Sequence, residues 1–114
     1  MKKSLLIALS SLVLGLPAEA QFTGPSATGS AVSVAEARAA LPGRDVSVSG
    51  YIVSHLREDY YTFRDATGEI RVEIASGVWR GRQVGPETKV RVRAEVELGL
   101  TGRYLWVKSL DLTE

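Results

Sequence analysis

Tyr60-Tyr61-Thr62-Phe63-Arg64-Asp65-Ala66-Thr67-Gly68-Glu69-Ile70-Arg71-Val72-Glu73-Ile74-Ala75 reads as two strands folded back on one turn. Tyr61 and Phe63 share a side on the first run, and Ile70, Val72 and Ile74 share a side on the second. Arg71 and Glu73 take the opposite side. Strict period-two alternation marks a half-buried strand. Asp65-Ala66-Thr67-Gly68 between the runs has the composition of a tight hairpin turn.

The same period extends in both directions. Upstream, Val46, Val48 and Ile52 share one face, with Ser47, Ser49, Tyr51 and Val53 on the other. Gly50 in the middle of that strand signals a bend or bulge, the device by which a strand curls from one sheet into another. Leu56 to Asp59 reads as the connecting loop. Downstream, Ser76 to Glu87 is a longer connection containing Trp79, Gly81, Gly85 and Pro86. In the run from Lys89 to Leu98, Val90, Val92, Ala94 and Val96 face in, while Arg91, Arg93, Glu95 and Glu97 face out. Gly99-Leu100-Thr101-Gly102 turns the chain into a last strand, Arg103 to Thr113. There Leu105 and Val107 have one parity, Leu110 and Leu112 the other, and a bulge near Ser109 would bring all four inside.

Ahead of the strands, Ser33-Val34-Ala35-Glu36 has the form of a capping box. It opens a short helix that presents Val34, Ala37 and Leu41 on one face and stops at Pro42-Gly43. Gln21 to Val32, rich in Gly, Ser, Thr and Pro, reads as a flexible arm carrying Phe22. Lys2 and Lys3, the uncharged run from Leu5 to Leu16, and the small-x-small Ala18-Glu19-Ala20 form a secretory signal peptide. A membrane span needs roughly 20 apolar residues, and this run has 12. The expected organisation is therefore a signal peptide at 1–20, an arm at 21–32 and one domain at 33–114. The fold class is all-β with one short helix. Five half-apolar strands suit a small closed barrel, since closure removes exposed edges; an open meander with the helix on one face is the alternative.

Composition narrows the function. There is no cysteine, which excludes thiol catalysis, disulfide exchange and cysteine-ligated zinc. Loss of Lys2, Lys3 and Glu19 with the signal takes the 14 basic and 13 acidic residues to 12 of each. A neutral mature domain lacks the basic footprint of a general nucleic-acid binder.

Several of these residues together resemble a known family. Phe22-Thr23-Gly24-Pro25-Ser26, Gly50-Tyr51-Ile52-Val53, Tyr61-x-Phe63-x-Asp65-x-x-Gly68-x-Ile70-x-Val72 and Trp79-x-Gly81 are similar to the bacterial OB-fold (BOF) proteins, the YgiW/YdeI-type periplasmic stress-tolerance proteins. The resemblance implies a five-stranded OB-fold barrel with its helix ahead of the first strand. It also implies periplasmic residence and a part in tolerance of oxidants, metals or cationic peptides. It does not imply a catalytic site, and no cofactor is expected.

The candidate sites follow. In OB-folds the face of the second and third strands, flanked by the loops after strands one and four, is the usual binding surface. Here that face carries Tyr51, Tyr60, Arg64, Arg71 and Glu73, chemistry suited to stacking on planar groups and pairing with charges. The bland account is a solvated sheet whose Arg and Glu pair across strands. The ligand expected is small or polymeric and resident in the periplasm, with cationic groups and cell-wall glycan as candidates. Tyr104 and Trp106, with Leu100, form a second candidate patch, suited to an envelope protein partner and a chaperone-like role. Trp79 is expected to plug an end of the barrel. His55, the only histidine, lies near Glu58 and Asp59, but the set has no recognised ligand spacing, so no metal site is assigned. No nucleophile elbow is present, so no enzyme is expected. Nucleic acid is not expected as a partner, because the face mixes Arg64 and Arg71 with Glu73 and the acidic Glu58-Asp59 loop.

The exported protein is expected to begin at Gln21. Intact mass of the exported form checks this, and retention of residues 1–20 in a membrane fraction would overturn it.

Overall fold

The computed structural model describes residues 29–113, so the expected signal peptide and the arm as far as residue 28, Phe22 included, lie outside the described residues. Alternation makes strands wherever it was read: Asp45–Arg57 (β2), Tyr60–Asp65 (β3), Gly68–Glu73 (β4), Val90–Gly99 (β5) and Gly102–Leu112 (β6). A two-residue strand, Ser30–Ala31 (β1), precedes the helix Val34–Ala39 (α1), and one helical turn, Ser76–Trp79 (α2), lies in the long connection.

β2 pairs antiparallel with β5 from Asp45 to Gly50 and with β3 from Tyr51 to Arg57. β3 continues to β4, β4 runs parallel to β6, and β6 returns to β5. These five strands close into a barrel, the OB fold. The inward parity is the core: Val46, Val48, Phe63, Ile70, Val72, Ile74, Val90, Val92, Ala94 and Val96 are all buried. Gly50 is the pivot of β2. A Cβ there would meet the Arg64 carbonyl and stand 2.9 Å from Phe63 Cε1.

Where the structure departs from the sequence reading, the causes are tertiary. The segment read as an arm to residue 32 ends in structure: Ser30 and Ala31 pair parallel with Val46 and Ser47, and the Val32 amide donates to the Ser47 carbonyl at 3.0 Å. β2 runs on through Leu56 and Arg57, read as loop, because β3 offers it pairing partners as far as Tyr60. α1 ends before Leu41, which is 72% exposed instead of sharing the buried face. The bulge in β6 is present: Arg93 faces Ser109, Ala94 faces Val107, and Lys108 is the extra residue. It buries Leu105, Val107 and Leu110, but Leu112 lies past the core and is 48% exposed.

The helix is fastened by the hairpin turn. The capping box is formed, with the Glu36 amide donating to Ser33 Oγ at 3.1 Å and the Ser33 amide donating to Glu36 Oε1 at 2.8 Å. The two remaining free amides of the first turn are satisfied from the β3–β4 turn. The Val34 amide donates to Asp65 Oδ2 and the Ala35 amide to Thr67 Oγ1, both at 2.9 Å. Unmet amides at a helix start are costly when covered, and here sequence-distant groups meet them. The long connection is held by Arg82, whose guanidinium donates to the carbonyls of Trp79 at 2.9 Å and Leu110 at 2.6 Å.

Burial acts to raise the Asp65 pKa, but hydrogen bonds from the Thr67 side chain and from the Val34, Thr67 and Gly68 amides outweigh it and hold the carboxyl below its ordinary value. A depressed carboxyl pKa contributes stability above the unfolded value of about 3.9, and that stability is lost as pH falls through the folded pKa. Asp65→Asn is therefore expected to be less stable than wild type at neutral pH, the gap narrowing below about pH 4. Urea unfolding across this range checks it; a gap independent of pH would refute the linkage.

Candidate functional site

The register of the first hairpin sets the outward face. Tyr60 lies opposite Glu73, Thr62 opposite Arg71, and Arg64 opposite Glu69. The parallel β4–β6 pair, Val72 with Leu105 and Glu73 with Trp106, brings Tyr104 and Trp106 alongside. Register shifts in β2 after Ile52 and after His55 place Arg57 opposite Tyr60. The turn between β5 and β6 then supplies Leu100 and Thr101. Together Arg57, Tyr60, Arg71, Leu100, Thr101 and Tyr104 line an open cavity of about 320 Å³, with Gly99 at its base.

The two guanidiniums are held by rings. Arg71 Cζ lies 5.0 Å from the centre of the Tyr60 ring and 4.7 Å from that of Tyr104. Arg57 Cζ lies 5.2 Å from the Tyr60 ring. The tyrosines meet edge to face at 6.2 Å and 74°. Each cation–π contact of this kind is worth about 0.5–2 kcal/mol. Among the described residues neither arginine forms an ion pair, and Arg71 Nε is buried without a hydrogen-bond partner. Gly99 keeps the space open, since a Cβ there would stand 2.9 Å from Arg71 Nη2 and 3.2 Å from the Tyr104 ring. Burial raises the Tyr104 pKa, and the charges of Glu73 and Glu97 add to it against the opposing pull of Arg71. Tyr104 is thus a neutral hydroxyl at physiological pH, able to donate and to accept.

The candidates read from the sequence divide. Tyr60 and Arg71 enter the cavity, with Glu73 one register position along. Arg64 is engaged by Glu69, its Nε and Nη2 donating to Oε2 at 2.8 and 2.5 Å, and Tyr51 stands opposite Arg64 on β2. Those two belong to the other end of the face. Tyr104, assigned to a separate patch, joins the cavity, while Trp106 remains 44% exposed between Glu73 and Glu95. Arg57 was missed, because bulges change its parity and no local pattern reveals them. His55 is occupied: its Nε2 lies 2.7 Å from the Glu58 carbonyl and its ring stacks on Tyr61 at 4.6 Å. Among the described residues no group of three His, Asp or Glu could hold a metal. Trp79 is half-buried and packs edge-on to Tyr61 at 5.3 Å, so it covers the rim of the core instead of filling it.

A family model described as bacterial OB fold (BOF) protein matches residues 16–112. The chain belongs to the BOF family. It is 34% identical over 107 residues to the calcium-regulated OB-fold protein CarO of Pseudomonas aeruginosa, a match covering 94% of this chain and 92% of CarO. It is also 34% identical to protein YgiW of Escherichia coli K12 over 87 residues, 67% of each chain. The solved structure of E. coli YgiW superimposes with a TM-score of 0.72 at 32% identity, covering 81% of this chain and 97% of that one. The BOF barrel described here carries its cavity on the face that OB-folds commonly use.

Because the Arg71 guanidinium lies over the Tyr104 ring, a double-mutant cycle with Arg71→Gln and Tyr104→Leu is expected to give a coupling of about 0.5–2 kcal/mol. Urea unfolding of the four proteins measures it; additivity within error would show that the contact contributes nothing to stability.

Proposed function

We propose that this chain is a periplasmic OB-fold binding module that acts by holding a ligand, not by catalysis, and contributes to envelope stress tolerance. The observation that carries the reading is the pair of guanidiniums, Arg57 and Arg71, stacked on Tyr60 and Tyr104 with no carboxylate partner among the described residues. Planar aromatic walls and unfilled donors suit a ligand rich in acceptor oxygens, such as a cell-wall glycan or an anionic group. A cationic ligand is disfavoured inside the cavity and would have to use Glu73 and Glu97 at its edge. The export pattern and the BOF membership support the compartment and the stress role. Tyr51 and Arg64, on the same face, extend the surface for a polymeric ligand. The alternative, a chaperone-like module with an envelope protein partner, rests on exposed Trp106.

The test is complementation of a strain lacking the gene, challenged with peroxide, divalent metals, high calcium and cationic peptides. Arg71→Gln and Tyr60→Ala are expected to lose protection and Trp106→Ala to retain it. The opposite pattern would favour the protein-partner reading.

A further inference from the structure

The cavity is lined in part by the β5–β6 turn, and that turn and the residues flanking it carry exposed leucines. Leu100 is fully exposed at 105%, Leu98 at 64% and Leu41 at 72%. They are not scattered singly. The Gly43 amide donates to the Val96 carbonyl at 2.6 Å, and the Val96 amide donates to the Arg44 carbonyl at 2.9 Å. Arg103, the register partner of Leu98, donates to the Ala40 carbonyl at 2.5 Å. These bonds lay the segment after α1 against the side of the β5–β6 hairpin that Leu98 and Arg103 share, opposite to Tyr104, so exposed leucines flank the hairpin tip from both sides. Leu100 also lines the cavity that holds Arg57 and Arg71. Grouped apolar exposure on a soluble-sized barrel marks an interaction surface.

We propose that this end of the barrel docks on a phospholipid bilayer, with Arg71 and Arg57 taking a headgroup phosphate and the leucines entering the apolar boundary. The proposal rests on the cavity being the ligand site and names the source of its anion. Arginine forks match phosphate oxygens, and among the described residues neither Arg57 nor Arg71 has a carboxylate partner. Weak apolar insertion and headgroup recognition are each marginal alone and become an anchor together. Glu73, Glu97, Glu58 and Asp59 lie near the cavity, so the surface is mixed in sign. Attachment therefore depends on short-range phosphate contact and leucine insertion more than on long-range attraction. Among the described residues no helix is long and apolar enough to cross a membrane, so docking would be peripheral.

The experiment is co-sedimentation of the exported protein with vesicles of phosphatidylglycerol and phosphatidylethanolamine. Vesicles of a phosphate-free galactolipid serve as the second arm, and inorganic phosphate and glycerol phosphate in solution as the third. Binding is expected on the phospholipid alone. Arg71→Gln is expected to weaken it about fivefold and Leu98→Ser with Leu100→Ser about tenfold. Arg91→Gln, a charge-matched change at an exposed site on β5, is expected to leave it intact. Equal binding to galactolipid, binding indifferent to the leucine changes, or no binding would overturn the proposal. If glycerol phosphate binds in solution with the leucines irrelevant, the cavity is an anion site for a soluble ligand and bilayer docking is wrong. If Arg71→Gln still protects cells under stress, the functional reading of the cavity fails separately, whatever the vesicles show.

Discussion

The close approach at Gly50 is the constraint on which the barrel depends. β2 serves two neighbours, β5 up to Gly50 and β3 from Tyr51, and the change of partner occurs where the fully buried Phe63 ring and the Arg64 carbonyl press against the backbone. No side chain fits there without displacing one or the other. With the bend in place, the β3–β4 and β5–β6 hairpins hang from opposite halves of one strand and meet again through the parallel β4–β6 pair. A closed sheet then has few edges left to pair with other chains.

That closure also decides where a ligand can be held. Among the described residues the inward positions of the barrel are filled by Val, Ile, Leu, Ala and Phe, and none of the buried side chains is polar. A ligand of the kind proposed would have to be held by outward side chains at the seam where the two hairpins converge. Tyr60 and Arg71 come from one hairpin, Tyr104 and Leu100 from the other, and Arg57 from the far end of the shared strand. The stacked rings pre-position guanidiniums that would otherwise sample many rotamers, which lowers the entropy lost when a ligand binds.

The parts of this arrangement legible in the sequence are those set by local period. Val46 and Val48, Ile70 and Val72, and Val90 to Val96 declare their faces by alternation, the Ser33–Glu36 box declares the helix start, and the opposed parities of Val107 and Leu110 declare the bulge between them. Burial at the ends of elements was less legible. Leu41 and Leu112 continue an apolar pattern past the point where the barrel has anything left to cover them. The site was half legible. Tyr60 and Arg71 follow from parity, but Tyr104 joins them only through a parallel pairing between strands remote in sequence, and Arg57 only through two register shifts that leave no signature in composition.

The fastening of α1 has a consequence for the order in which the chain folds. A helix of six residues is far below the length that is stable alone in water. Two of its first amides find acceptors only on the turn after β3, 31 and 32 positions away in sequence. The hairpin closes through neighbouring residues at a small entropic cost, whereas the helix must wait for that turn to exist. An element that precedes the hairpin in the chain thus depends on it to become native, and α1 is expected to open more readily than the barrel beneath.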